Sequence, residues 1–175
     1  MGTWLTFWTV RLALLCYAAV LGVELGRPWP SRSGDERREA TFGRWLRAIW
    51  SAGCVLMLVH VACAFHFYHH WSHAEAEAAT ARQVQELVGV PLGWGIFFNY
   101  AYLAVWVADA AWWWIRPASY ATRPILIGAA IHLFMVFMAF NGAVVFAEGA
   151  ASWVGLGVSS LLVLLLARRL LAKKA

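Results

Sequence analysis

Five of the six histidines lie between positions 60 and 73, and four of those fall in the run His66-Phe67-Tyr68-His69-His70-Trp71-Ser72-His73, which continues into Ala74-Glu75-Ala76-Glu77. On a continuous helix, at about 100° per residue, His66, His69, His70 and His73 occupy an arc of roughly 100°, and Glu77 returns to within about 20° of His66. Glu75 and Glu86 lie roughly 180° and 200° from His66. Residues three and four apart are neighbours on a helix surface, so His66/His70, His69/His73 and His73/Glu77 are candidate chelating pairs. Imidazoles suit iron, copper or zinc, and the pattern does not distinguish among these transition metals. From His66 to Glu77 the rise is about 16 Å, too long for one ion, so one ion would use a subset of the stripe. The plainer alternative is an interfacial or pH-responsive histidine belt, interleaved with Phe67, Tyr68 and Trp71.

His66-x-x-His69-His70 resembles one histidine box of the integral-membrane di-iron desaturases and hydroxylases. The resemblance covers five residues; that family carries three boxes, and this chain has one. What it implies is redox or oxygenase chemistry at a metal. A second cofactor candidate is haem b, with His60 and His132 as axial ligands. Helix depth works against it, because the two residues differ in expected depth by roughly 12 Å.

The elements that must position these residues follow from composition. The chain has 175 residues, of which 62% are hydrophobic, 15% aromatic and only 13% charged. That excludes a disordered chain, a basic nucleic-acid reader and almost any soluble enzyme. Apolar runs of about 20 residues read as membrane-spanning helices. Five are expected, at about 4–23, 45–67, 92–114, 125–147 and 153–171, with a further helical segment at 74–88 closed by Gly89 and Pro91. The expected fold is therefore an all-α integral membrane protein, a single bundle of five transmembrane helices covering 1–175. The first span has no Lys or Arg ahead of it and no small-residue cleavage site after it, so it is expected to remain in the protein. Three cysteines, Cys16, Cys54 and Cys63, all lie in apolar runs and give neither a disulfide framework nor a zinc spacing.

Of the 14 Lys and Arg residues, all but Arg11 and Arg82 fall on alternate connections: the loop after the first span, the loop after the third, and the C-terminal tail. The positive-inside rule then puts the N-terminus outside and the C-terminus in the cytoplasm, with a bacterial inner membrane as the expected setting. Tryptophans at both sets of helix ends, including Trp50 and Trp112 to Trp114 on the inner side, read as interfacial belts. The histidine run falls at the outer end of the second span. Polar residues within spans sort by depth. Arg11, His60, Asn99, Tyr100, Tyr102 and Asn141 lie in the outer half, and Asn99 and the two tyrosines are placed to support metal ligands. Glu24, Asp109 and His132 lie in the inner half, where Asp109 and His132 are expected to pair or to share a proton path.

The leading expectation is a polytopic membrane protein with a His-rich metal site of redox or oxygenase type at the outer end of span 2. The ligands would be His66, His69, His70, His73 and Glu77, on one helix running unbroken past the membrane surface. The alternatives are a non-catalytic accessory subunit of a respiratory or photosynthetic-type complex, and a haem-b carrier. Expected partners are the lipid bilayer and other membrane subunits, with no nucleic acid.

Overall fold

The computed structural model describes residues 2–26, 36–147 and 149–172. Every regular element among them is helical: α1 (Gly2–Gly26), α2 (Glu36–Phe67), α3 (His73–Val88), α4 (Ile96–Ile115), the short α5 (Pro117–Ala121), α6 (Ile125–Phe140) and α7 (Ala150–Ala172). A 3-10 turn, Gly93–Gly95, precedes α4, and a π-helical turn, Asn141–Val145, ends α6. Four stretches are long and apolar enough to cross a membrane: Gly2–Gly26, Thr41–Phe67, Ile125–Val145 and Ala150–Arg168. A fifth candidate is the pair His73–Val88 and Gly93–Ile115, bent by 107° between its halves. Within that pair α4 alone has 20 residues, a rise of about 30 Å, and matches the span expected at 92–114. One end of the bundle is His-rich and the other Arg-rich. Much of the charge asymmetry rests on the side chains of Arg27, Arg32, Arg37, Arg38, Arg169, Lys173 and Lys174, which lie outside the described residues, as does Trp29.

The core sits where α1, α2 and α4 meet. Ala13, Tyr17, Val20 and Leu21 pack against Leu46, Trp50, Cys54 and Met57, and Tyr102, Trp106 and Ala110 close the third side. Trp50 and Trp106 are among the most buried side chains, with ring centroids 5.3 Å apart. Trp50 is therefore a core residue and not part of an interfacial belt, because α2 turns that position toward α1 and α4. Trp4, Trp45, Trp71, Trp94, Trp114 and Trp153 are exposed. Small residues set the close approaches. A Cβ on Gly53 would stand 2.7 Å from the Trp106 ring and 2.9 Å from Cβ of Cys16, and one on Gly155 would collide with the Ala143 carbonyl of the π turn.

The expectation of one unbroken helix from Phe65 to Val88 does not hold. α2 ends at Phe67, and residues 68–72 form a tight elbow before α3 starts at His73. No glycine or proline makes this break. His70 and Trp71 take positive φ values of 48° and 60° instead, at a cost of about 1–2 kcal/mol each. The trade is visible in the hydrogen bonds. The Trp71 amide donates to the Phe65 carbonyl at 3.0 Å, the Ser72 amide to the His69 carbonyl at 2.6 Å, and Ser72 caps α3 by accepting from the Glu75 amide. Ser72→Ala is expected to cost about 1 kcal/mol, confined to the first turn of α3. Hydrogen exchange should show faster exchange at the Glu75 amide and none at α2 amides; an unchanged Glu75 amide would remove Ser72 as the cap. α3 stops at Gly89, whose φ of 79° lets its amide close on the Gln85 carbonyl. The chain then folds back so that Gly93 lies against Glu77 and Gly95 against Thr80.

Candidate functional site

At the His-rich end the elbow divides the histidine stripe. His66 remains on α2 with its ring edge-on to Phe67, 4.7 Å between centroids. His69 lies against Phe65. His70 Nδ1 meets Glu75 Oε2 at 3.0 Å. His73, now on a different helix, has Nδ1 2.9 Å from the Tyr100 hydroxyl on α4 and Nε2 3.8 Å from Glu77 Oε2. Among the described residues no three His, Cys, Asp or Glu side chains are grouped so as to hold a metal ion. The single face joining His66, His69, His70, His73 and Glu77 is thus not formed. The angular argument fails because it assumed a helix through residues that leave helical geometry. Glu75, expected to face away, is drawn in as the partner of His70. Only His73 and Glu77 keep their expected i,i+4 relation, and Tyr100 stands behind His73 as a span-3 tyrosine was expected to.

Beside this pair a cavity of about 510 Å³ is lined by Tyr68, His69, Glu75, Ala78, Ala79, Arg82 and Gln83. Burial lowers the His69 pKa below that of an ordinary histidine; Glu75 opposes the shift, while Arg82 and His70 add to it. The direction favours the neutral imidazole over the charged one.

His60 and His132 are far apart. His60 Nδ1 donates to the Thr6 carbonyl at 2.9 Å, near the start of α1. His132 Nε2 lies 3.5 Å from Glu24 Oε2, near the end of α1. Thr6 and Glu24 are separated by about 27 Å along that helix. Within one chain a single haem iron cannot take both rings.

The Arg-rich end holds the most buried charge. The Asp109 side chain is 2% exposed and pairs with Arg123, 14% exposed, at 3.2 Å. Its second oxygen accepts from the Tyr120 hydroxyl at 2.9 Å. Burial, with Asp109 beside it, raises the Tyr120 pKa, so the phenol stays protonated and donating. The Arg123 guanidinium also lies over the Tyr120 ring at 3.9 Å, and that ring stacks on Trp113 at 4.7 Å. The absence of a side chain at Gly128 makes room, since a Cβ there would lie 3.1 Å from Arg123 Nε. Asp109 and His132 therefore do not pair: each has its own partner, Arg123 and Glu24 respectively. Trp50 and Tyr17 pack on the His132 ring between them. Trp112 to Trp114 likewise find protein partners: Trp112 Nε1 donates to Ser119, and Trp114 Nε1 donates to Ser51 beneath the Arg47 guanidinium. Position and residue type flagged Asp109, Glu24 and His132 in the sequence. Tyr120, Arg123 and Trp113 were missed as partners, although the spacing of Arg123 from Asp109 is short enough to have raised the question.

Compared with protein-family models, with curated proteins and with solved structures, the chain matches none.

Proposed function

We propose that the chain spans a membrane with its His-rich end outside, and that its working site is the elbow, where His73 and Glu77 hold a transition-metal ion. The observation that supports this is the double engagement of His73. With Nδ1–H donating to the Tyr100 oxygen, Nε2 keeps its lone pair and faces the Glu77 carboxylate at 3.8 Å. A histidine held at one nitrogen and open at the other is the usual state of a metal ligand. Two donors on one tetrahedral ion stand about 3.4 Å apart, so closing the pair needs only a few tenths of an ångström. The strain at His70 and Trp71 fits the same reading, because costly backbone conformations cluster where a site has to be built. One imidazole and one carboxylate leave further positions for water, dioxygen or a substrate, which suits an ion of redox or oxygenase type.

Zinc and copper titrated into the detergent-purified protein test this. One equivalent should bind, His73→Ala should weaken it at least tenfold, and Tyr100→Phe should weaken it by roughly tenfold through loss of the supporting hydrogen bond. His66→Ala should leave it unchanged. Equal losses for His66→Ala and His73→Ala, or no saturable binding by the unaltered chain, would end this reading. A second reading, a subunit of a larger membrane complex, is favoured by the apolar stretches Ile125–Val145 and Ala150–Arg168, which are almost wholly uncovered within the chain. A discrete larger assembly recovered in mild detergent would support it; recovery of this chain by itself would not.

A further inference from the structure

Arg11 is the one cation in the apolar run of α1, and it lies on the outside of the bundle. Trp4, Phe7, Trp8, Arg11, Leu12 and Leu15 follow one another at helical i, i+3, i+4, i+7, i+8 and i+11 positions, so they share a face. All six are exposed. The Arg11 guanidinium leans toward the start of the helix, the direction in which long helical side chains point. It stands 5.4 Å from the Phe7 ring centroid and 5.7 Å from that of Trp8. Those rings are its contacts: among the described residues no carboxylate pairs with it and no acceptor takes its N–H groups. The start of α1 lies at the His-rich end, where Gly2 packs on the Phe67 ring. Arg11 is about 13 Å along the helix from Gly2, and a guanidinium drawn back over Phe7 is about 6 Å nearer to it.

We propose that this face of α1 binds the phosphate of a membrane lipid, in the leaflet at the His-rich end. A guanidinium in hydrocarbon is costly unless it reaches water or an anion. An arginine within reach of a helix end relieves that cost by extending its head toward the lipid phosphates, where its planar fork gives two parallel N–H bonds to phosphate oxygens. The Trp8 and Trp4 indoles, 6.1 Å apart between centroids, stand on the same face about one and two turns nearer the surface. Each brings an N–H suited to the membrane interface. On the other side of the arginine, Leu12 and Leu15 form an apolar strip for an acyl chain. A carboxylate on another subunit's helix would neutralise the charge equally well. Helices that pack closely in a membrane meet through small side chains, however, and this face carries none from Trp4 to Leu15. Indoles, a phenyl ring and leucines hold a second helix away and leave room for flexible chains. The inference rests on the proposed membrane setting and not on the metal at the elbow.

The test is native mass spectrometry of the full chain released from nanodiscs containing equal phosphatidylglycerol and glucosyl diacylglycerol with the same acyl chains. The unaltered protein should retain the phosphate lipid roughly fivefold or more over the glycolipid. Arg11→Leu and Arg11→Gln, at an exposed position away from the core, should retain the two lipids equally. Arg82→Leu removes the other arginine that lies away from the Arg-rich end and so controls for net charge; it should keep the preference. Glycerophosphate, which has the headgroup without chains, should not displace the lipid at millimolar concentration. Equal retention by the unaltered chain, a preference that survives both Arg11 variants, or its equal loss in Arg82→Leu would each overturn the proposal. Displacement by glycerophosphate would overturn it by assigning Arg11 to a soluble phosphate compound. A protein that stays with the unaltered chain in mild detergent and is released by Arg11→Leu would overturn it in favour of a partner's carboxylate. Resistance of the chain to alkaline extraction from membranes, measured for the same proteins, separates failure of this site from failure of the membrane setting.

Discussion

Asp109→Leu is expected to cost about 3–5 kcal/mol, because it leaves the Arg123 guanidinium in a largely buried site without its counter-charge. The carboxylate is almost fully enclosed and accepts from both Arg123 and Tyr120, so the substitution strands two donors at once. The double variant Asp109→Leu/Arg123→Met is expected to recover most of that loss. A buried ion pair contributes little net stability over apolar residues of similar size, even though breaking one side of it is expensive. Thermal or denaturant unfolding in one detergent, compared across both singles and the double, gives the coupling directly. A single variant as stable as the unaltered chain would mean that Arg123 moves out to water when released. A double variant as poor as the single would mean that Asp109 acts through packing and not through charge.

The second large effect is expected at Gly53. A methyl group there meets Trp106 at 2.7 Å and Cβ of Cys16 at 2.9 Å, and Trp106 has no exposed surface into which it could retreat. Gly53→Ala should therefore lose about 2–3 kcal/mol by overpacking, despite the better helix propensity of alanine. Gly43 on the same helix is the internal control, since nothing lies within 4 Å of its Cβ position. Gly43→Ala should gain about 0.5–1 kcal/mol. Opposite signs for the same chemical change on one helix isolate packing from propensity, and a shared sign would refute the assignment of Gly53 to a three-helix contact.

The long helices α1, α2, α4, α6 and α7 were legible in the sequence because each is written locally, in a run of apolar residues of sufficient length. The expected 125–147 span ends within two residues of the π turn, and α1 exceeds its expected bounds by a few residues at each end. The elbow was harder to see. Glycine and proline are the usual breaking signals, whereas this break uses two bulky residues in left-handed conformations that nothing in their identity announces. One signal was present: Ser72-x-x-Glu75 is a helix-start pattern, and it marks the true beginning of α3. Glu75 uses its side chain on His70, so only half of the capping arrangement forms. The single histidine face is lost for the same reason, since a stripe is a property of a continuous helix. The pairings Glu24–His132 and His73–Tyr100 join different helices and depend on how the bundle closes, which no local pattern encodes.

The spacing of the Asp109–Arg123 pair bears on how the chain is made. The two residues are 14 positions apart, and Tyr120 is 11 from Asp109. In the proposed membrane setting, a carboxylate near the end of an apolar helix is a burden during insertion, because lipid offers it no partner. Here the neutralising arginine and the donating phenol leave the ribosome almost directly after it, on a connector too short to wander. Both partners of the carboxylate thus lie on its own short connector, so its neutralisation needs no side chain from α7. A buried charge whose partners follow it so closely in the chain is expected to add little to the cost of placing α4.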